Sequence, residues 1–137
     1  MAAGYGKVGA VSAIPVADDV LDSDVAVLSL AEVGTVLGLS MNKVRQLLRD
    51  GQLIAIRRAG ELYVPADFFM EGNLGKDGLV KGLAGTVTVL SDAGYGRTEM
   101  LRWLFEADDT LPGTTPINAL RTNHGTEVKR RAQAMAF

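Results

Sequence analysis

The first sustained period in the chain begins at Ser29. Leu30, Val33, Gly34 and Leu37 follow as the stripe of one helical face. Ser29-Leu30-Ala31-Glu32 fits a capping box and predicts the helix start. Gly38 comes straight after the stripe and suits a left-handed helix stop. Leu39 is expected to be buried in the turn. Ser40 reads as a second N-cap, opening a helix from Met41 to Asp50 with Val44, Leu47 and Leu48 on its buried side and Gly51 at its end. Two short helices joined by Gly-Leu-Ser predict a helix-turn-helix. Such a crossing needs a small residue where the helices touch, a residue that accepts positive φ, an apolar plug and an aliphatic anchor. Gly34, Gly38, Leu39 and Val44 supply these in turn. An ordinary αα-hairpin is the other structure such a pair allows.

The pattern then changes period. Leu53-Ile54-Ala55-Ile56-Arg57 and Leu62-Tyr63-Val64 are β-prone, and Arg58-Ala59-Gly60-Glu61 between them has turn character. This predicts a hairpin directly behind the second helix, a wing. Pro65 then starts a short helix through Phe68 and Phe69. Residues 29–70 read as one winged helix-turn-helix module, residues 71–82 as a Gly-rich loop, and residues 83–137 as a helical C-terminal module. In that last block Leu83, Val87 and Leu90 mark a helix closing near Gly94. Thr98 is expected to cap a helix with Met100, Leu101, Leu104 and Phe105 on its stripe and Trp103 partly buried. Thr115 caps a helix with Pro116 at its first position. Gly125-Thr126 opens the last one, with Val128, Ala132 and Met135 along one side. The predicted class is mainly α with a small β-wing.

Residues 1–28 hold neither period for more than a few residues and read as a flexible N-terminal arm. The arm contains Gly4-Tyr5-Gly6-Lys7-Val8-Gly9, which satisfies G-x-G-x-x-G. Those glycines cradle a pyrophosphate only where a strand precedes them and a helix follows. Three residues precede Gly4 and Pro15 interrupts what comes after, so the motif is rejected.

Composition narrows the chemistry. The 137 residues include no cysteine and one histidine, His124, which leaves no disulfide scaffold, thiolate metal site or cysteine nucleophile. His124 reads as a turn residue, and no carboxylates cluster at ligand spacing. No enzyme, cofactor or metal is therefore expected. No stretch is long and apolar enough for a membrane span, and the start lacks the apolar core of a signal peptide, so a cytoplasmic protein is expected. The net charge of −2 argues against indiscriminate nucleic-acid binding, but it hides an uneven layout. Residues 1–28 set Lys7 against Asp18, Asp19, Asp22 and Asp24. Residues 41–58 hold Lys43, Arg45, Arg49, Arg57 and Arg58 with only Asp50 opposing them, a local charge of +4.

The run from Leu30 to Phe69, LAEVGTVLGLSMNKVRQLLRDGQLIAIRRAGELYVPADFF, resembles the excisionase/MerR-like winged helix-turn-helix domains. That resemblance implies binding to double-stranded DNA with the second helix in the major groove, and a role in transcriptional regulation. The whole chain beyond the arm, through its ending LRWLFEADDTLPGTTPINALRTNHGTEVKRRAQAMAF, resembles a small actinobacterial DNA-binding family of this type. Trp103-Leu104-Phe105, with Leu111-Pro112-Gly113-Thr114-Thr115-Pro116-Ile117-Asn118-Ala119-Leu120-Arg121-Thr122, is also similar to the C-terminal domain of ParS/MbcA-type antitoxins. That similarity implies a module for self-association or a protein partner, and gives the alternative function, an antitoxin-type interaction protein whose DNA binding is autoregulatory.

Helical geometry sorts the second helix. At about 100° per residue, Asn42, Gln46 and Arg49 lie roughly 140–160° from Val44, while Lys43 and Arg45 flank at about 100°. Asn and Gln side chains can pair bidentately with adenine and Arg with guanine, whereas Lys43 and Arg45 are better placed for phosphates. A solvated helix face has the same composition. Arg57 and Arg58 at the hairpin bend read either as a charged tip that keeps the edge unpaired or as cations for the backbone or a narrow minor groove. The acidic run Asp18–Asp24 reads as a solvated linker or as a strap lying over this basic patch. Lys129-Arg130-Arg131 reads as a solvated face, with a supplementary phosphate contact as the alternative.

Overall fold

A computed structural model of the protein describes residues 14–70 and 78–136. The G-x-G-x-x-G run, Lys7 and most of the Gly-rich loop lie outside the described residues. The chain forms strand β1 (Val16–Ala17), strand β2 (Val27–Ser29), helix α1 (Leu30–Leu37), helix α2 (Met41–Arg49), strands β3 (Ala55–Arg58) and β4 (Glu61–Pro65), and a 3-10 turn at Ala66–Phe68. Helices α3 (Leu83–Asp92), α4 (Arg97–Phe105), α5 (Pro116–Arg121) and α6 (Gly125–Ala134) follow. The fold is mainly helical with a small sheet, in agreement with the predicted class.

The helix-turn-helix forms for the reasons its sequence gives. Ser29 Oγ accepts from Glu32 N at 3.1 Å, and Glu32 Oε1 accepts from Ser29 N at 2.8 Å, which closes the capping box. Gly38 takes φ 68°, and Leu39 N donates to Gly34 O at 2.9 Å to seal the helix end. At Gly34 the two helices approach closely: a Cβ there would sit 2.9 Å from the Leu39 carbonyl oxygen and 3.7 Å from Val44 Cγ2. Ser40 Oγ accepts from Lys43 N at 3.2 Å and opens α2. Val33, Val44 and Leu48 are fully buried, while Leu39 and Leu47 are half-buried at the rim.

β3 and β4 form the predicted hairpin, with Ile56 opposite Tyr63, Arg57 opposite Leu62 and Arg58 opposite Glu61. Ala59 and Gly60 both have positive φ, 50° and 81°, as a two-residue turn matched to the strand twist requires. The strand order is β1-β3-β4-β2, with β1 parallel to β3 and β2 antiparallel to β4.

Those two outer strands correct the reading of residues 1–28 as an arm throughout. Val16 and Ala17 pair with Ala55 and Ile56, and Val27, Leu28 and Ser29 pair with Pro65, Val64 and Tyr63. Strands of two and three residues are too short to show a period in sequence. Because β1 and β2 occupy opposite edges, the acidic residues between them must cross from one edge of the sheet to the other.

The C-terminal helices join the same core. Leu83, Leu90, Leu101, Leu104, Ile117, Val128 and Ala132 are buried in one cluster with Val44, Leu48, Ile56 and Phe68. The Phe68 and Phe105 rings meet across the junction with centroids 6.1 Å apart. Residues 78–80 link the halves: Leu79 bridges to Phe69, and Val80 N donates to Phe68 O at 2.9 Å. Two helix details differ from expectation. Gly96, not Thr98, caps α4, because Glu99 Oε1 accepts from Gly96 N at 2.8 Å. Thr98 Oγ1 instead accepts from Asp18 N at 2.9 Å, fixing the start of the acidic segment. Met135, expected on the buried side of the last helix, lies beyond α6 and is 41% exposed.

Candidate nucleic-acid interface

The burial of Val44 and Leu48 fixes the rotation of α2 about its own axis. Asn42, Lys43, Arg45, Gln46 and Arg49 are all exposed on the side away from that core. The helix thus presents three hydrogen-bonding side chains flanked by two cations. Gln46 does not hang free. Its Nε2 donates to Asp50 Oδ1 at 2.7 Å, and Arg49 Nη2 donates to its Oε1 at 3.5 Å. A carboxylate only accepts and a guanidinium only donates, so both neighbours impose the same amide orientation. The chain Arg49–Gln46–Asp50 organises the last turn of the helix and engages one of the two donors and one of the two lone pairs of the Gln46 amide, leaving one of each for a base edge. Sequence spacing placed Gln46 and Arg49 on one face but gave no sign of the role of Asp50.

The two wing arginines are unlike each other. Arg57 and Arg58 are adjacent on a strand, so their side chains leave opposite faces of the hairpin. Arg57 is exposed, and no ion pair to it is present among the described residues. Arg58 is half-buried and bound. Its Nε donates to Asp19 Oδ2 at 2.6 Å, and its Nη2 donates to Asp19 Oδ1 at 3.3 Å and to Asp22 O at 3.2 Å. The hydrogen bond from Arg58 holds the Asp19 carboxyl below its ordinary range, against the opposing effect of burial, and Asp19 in turn raises Arg58. Of the acidic run, Asp19 lies against the wing on the Arg58 side, while Asp18, Asp22 and Asp24 are exposed and no ion pair joins the run to Lys43, Arg45, Arg49 or Arg57 among the described residues. The pairing spans 39 residues, which no local pattern reveals.

The C-terminal basic triplet is largely engaged. Arg131 donates to Glu127 Oε2 at 2.8 Å and to Asp108 Oδ2 at 2.9 Å, while Arg130 also pairs with Glu127. The hydroxyl of Thr110 is the main influence lowering the Asp108 carboxyl, and Arg131 is the main one lowering Glu127. These contacts fasten α6 to the loop before α5. Of the triplet, Lys129 alone lacks an ion pair among the described residues.

Two arginines that sequence reading passed over connect the C-terminal helices to the winged domain. Arg97 Nη2 donates to the carbonyls of Leu48 and Arg49, at 3.4 and 3.3 Å. Arg121 Nη1 donates to the carbonyls of Asp67 and Phe69, at 2.9 and 2.6 Å. Backbone acceptors carry no side-chain signature, so neither contact could be anticipated. Among the described residues no group of three or more His, Asp or Glu side chains could hold a metal ion, and no helix is long and apolar enough to cross a membrane.

A family model described as "DNA-binding protein Rv2175c, wHTH domain" matches residues 13–69, and one described as "Rv2175c C-terminal domain of unknown function" matches residues 80–136. The DNA-binding protein Rv2175c of the actinobacterium Mycobacterium tuberculosis is 43% identical over 138 residues, which span 93% of this chain and 92% of the relative. The NMR structure of Rv2175c aligns with a TM-score of 0.78 and 41% identity over 90% of each chain. The chain belongs to the Rv2175c family, with that family's winged helix-turn-helix domain followed by its own C-terminal domain.

Proposed function

We propose that the protein binds double-stranded DNA sequence-selectively and regulates transcription, with α2 in the major groove and the wing on the backbone or minor groove. The observation that carries this reading is the exposed face of α2. Asn42, Gln46 and Arg49 form a row of hydrogen-bonding side chains on a helix whose opposite side is locked by Val44 and Leu48. Lys43 and Arg45 on the flanks, and Arg57 on the wing, are suited to phosphate. The name of the Mycobacterium tuberculosis relative, a DNA-binding protein, supports the same reading.

The test is affinity for a duplex selected from a randomised pool, against a scrambled duplex of equal length. Gln46→Ala and Arg49→Ala should each weaken the selected complex by about 1–3 kcal/mol, roughly 5- to 150-fold, and leave the scrambled one nearly unchanged. Parent-like affinity of both variants for the selected duplex would remove α2 from the major groove.

A further inference from the structure

We propose that Arg97 is the positioning residue of the recognition helix, and that the C-terminal domain thereby sets how α2 is presented to DNA. This rests on the DNA-binding reading above. Helix α2 ends at Arg49, and its last carbonyls carry the partial negative charge of the helix C-terminus. Leu48 O accepts from Asp50 N and, at 3.3 Å, from Gly51 N, whereas no backbone donor reaches Arg49 O among the described residues. The Arg97 guanidinium supplies what is missing by bonding Leu48 O and Arg49 O from a position 48–49 residues away in sequence. One of those acceptors is the carbonyl of Arg49, a residue of the reading face. Any displacement of this carbonyl moves the root of the Arg49 side chain.

The donor is itself firmly placed. Arg97 opens α4, whose first turn is closed by Gly96 and Glu99 and whose Met100, Leu101 and Leu104 are buried. Gly51 beside the guanidinium takes a φ of 79°, which favours glycine, and a Cβ there would meet Arg97 Nη2 in ordinary contact at 3.6 Å. The Arg97 Nε is buried without a hydrogen-bond partner. Lysine copies the arrangement only in part: both bonds come from the single nitrogen Nη2, whose place an ammonium can take, but the lysine side chain is one bond shorter.

Arg121 provides the control. It joins the same two parts of the chain through Asp67 O and Phe69 O and makes no hydrogen bond to α2 among the described residues. Arg97→Ala, Arg97→Lys and Arg121→Ala are made in the full chain, and each is checked for folding by thermal unfolding. Two readouts follow. Amide hydrogen exchange without DNA reports the end of α2, and the affinity ratio between a selected and a scrambled duplex reports discrimination. Arg97→Ala should speed exchange at Gly51 and Gln52. It should lower discrimination about ten-fold, the worth of one well-made base contact, with the salt dependence unchanged. Arg97→Lys should recover only part of that ratio, and Arg121→Ala should leave it close to the parent.

Parent-like exchange and discrimination in Arg97→Ala would overturn the proposal. So would an equal loss of discrimination in Arg121→Ala, which would mark general loosening of the junction. A fall of about one in the salt slope with discrimination intact would also overturn it, since Arg97 would then be a phosphate contact. If the parent discriminates among no duplexes, the DNA reading itself fails. The exchange at Gly51 and Gln52 then still decides whether Arg97 holds the helix end.

Discussion

Arg57 and Arg58 are neighbours of the same type on one strand, so replacing each in turn isolates the effect of what surrounds them. Arg57 is exposed, while Arg58 is tied to Asp19 and to the carbonyl of Asp22. A cation that meets phosphate only on binding releases counterions then, and each such contact contributes about 0.9 to the slope of log affinity against log salt. Arg57→Ala should therefore lower the slope by about 0.9. Between 50 and 200 mM salt, the gap between parent and variant should narrow about 3.5-fold. Arg58 is already paired in the free protein, so Arg58→Ala should leave the slope nearly unchanged. Its cost should fall on folding, up to about 1 kcal/mol for a partly exposed ion pair. Sequence alone gives the two arginines equal weight and predicts a fall of about two for the double change. The structure reduces that to about one. The assay is fluorescence anisotropy of a labelled duplex over a salt series, with urea unfolding of each variant alongside. A slope that falls equally for both variants would mean that Arg58 leaves Asp19 for phosphate, and the reasoning would be refuted.

Gly34→Ala should destabilise the protein by about 1–3 kcal/mol, because a Cβ 2.9 Å from the Leu39 carbonyl forces the turn between the helices away from α1. An unchanged midpoint in thermal unfolding would show that the crossing is looser than described. The Asp19–Arg58 pair gives a pH signature of definite sign. The Asp19 carboxyl is depressed in the folded state, so its contribution is complete above the ordinary Asp range and disappears as pH falls through the lowered value. Asp19→Asn should be less stable than the parent at about pH 7, and the gap should begin to shrink at the ordinary Asp range and close below the lowered value. A gap that stays constant across this range would exclude the ionised pair as its cause.

The parts of the fold legible in sequence were those specified locally. The capping box at Ser29, the left-handed Gly38, the cap at Ser40 and the wing strands each depend on residues within a few positions of one another. Gly34 was legible as well, because a close helix crossing admits few other residues. Contacts made across the chain were not legible. β1 and β2 exist because β3 and β4 offer edges, not because their own few residues demand strands. Thr98 has the character of a cap, yet its hydroxyl serves Asp18 while the preceding glycine and Glu99 close the helix. The polar face of α2 followed from geometry once Val44 was taken as buried. The orientation of Gln46 by Asp50, the capture of Arg58 by Asp19 and the reach of Arg97 to the end of α2 depend on tertiary structure.

The central claim, that α2 and the Arg57 side of the wing form the DNA-binding surface, is tested most directly by a backbone amide chemical-shift titration of the full chain with a selected duplex. The account predicts the largest shifts over Met41–Arg49 and around Arg57 to Gly60, with Val128 and Ala132 inside α6 little changed. Shifts confined to α5 and α6, with α2 silent at saturation, would contradict it.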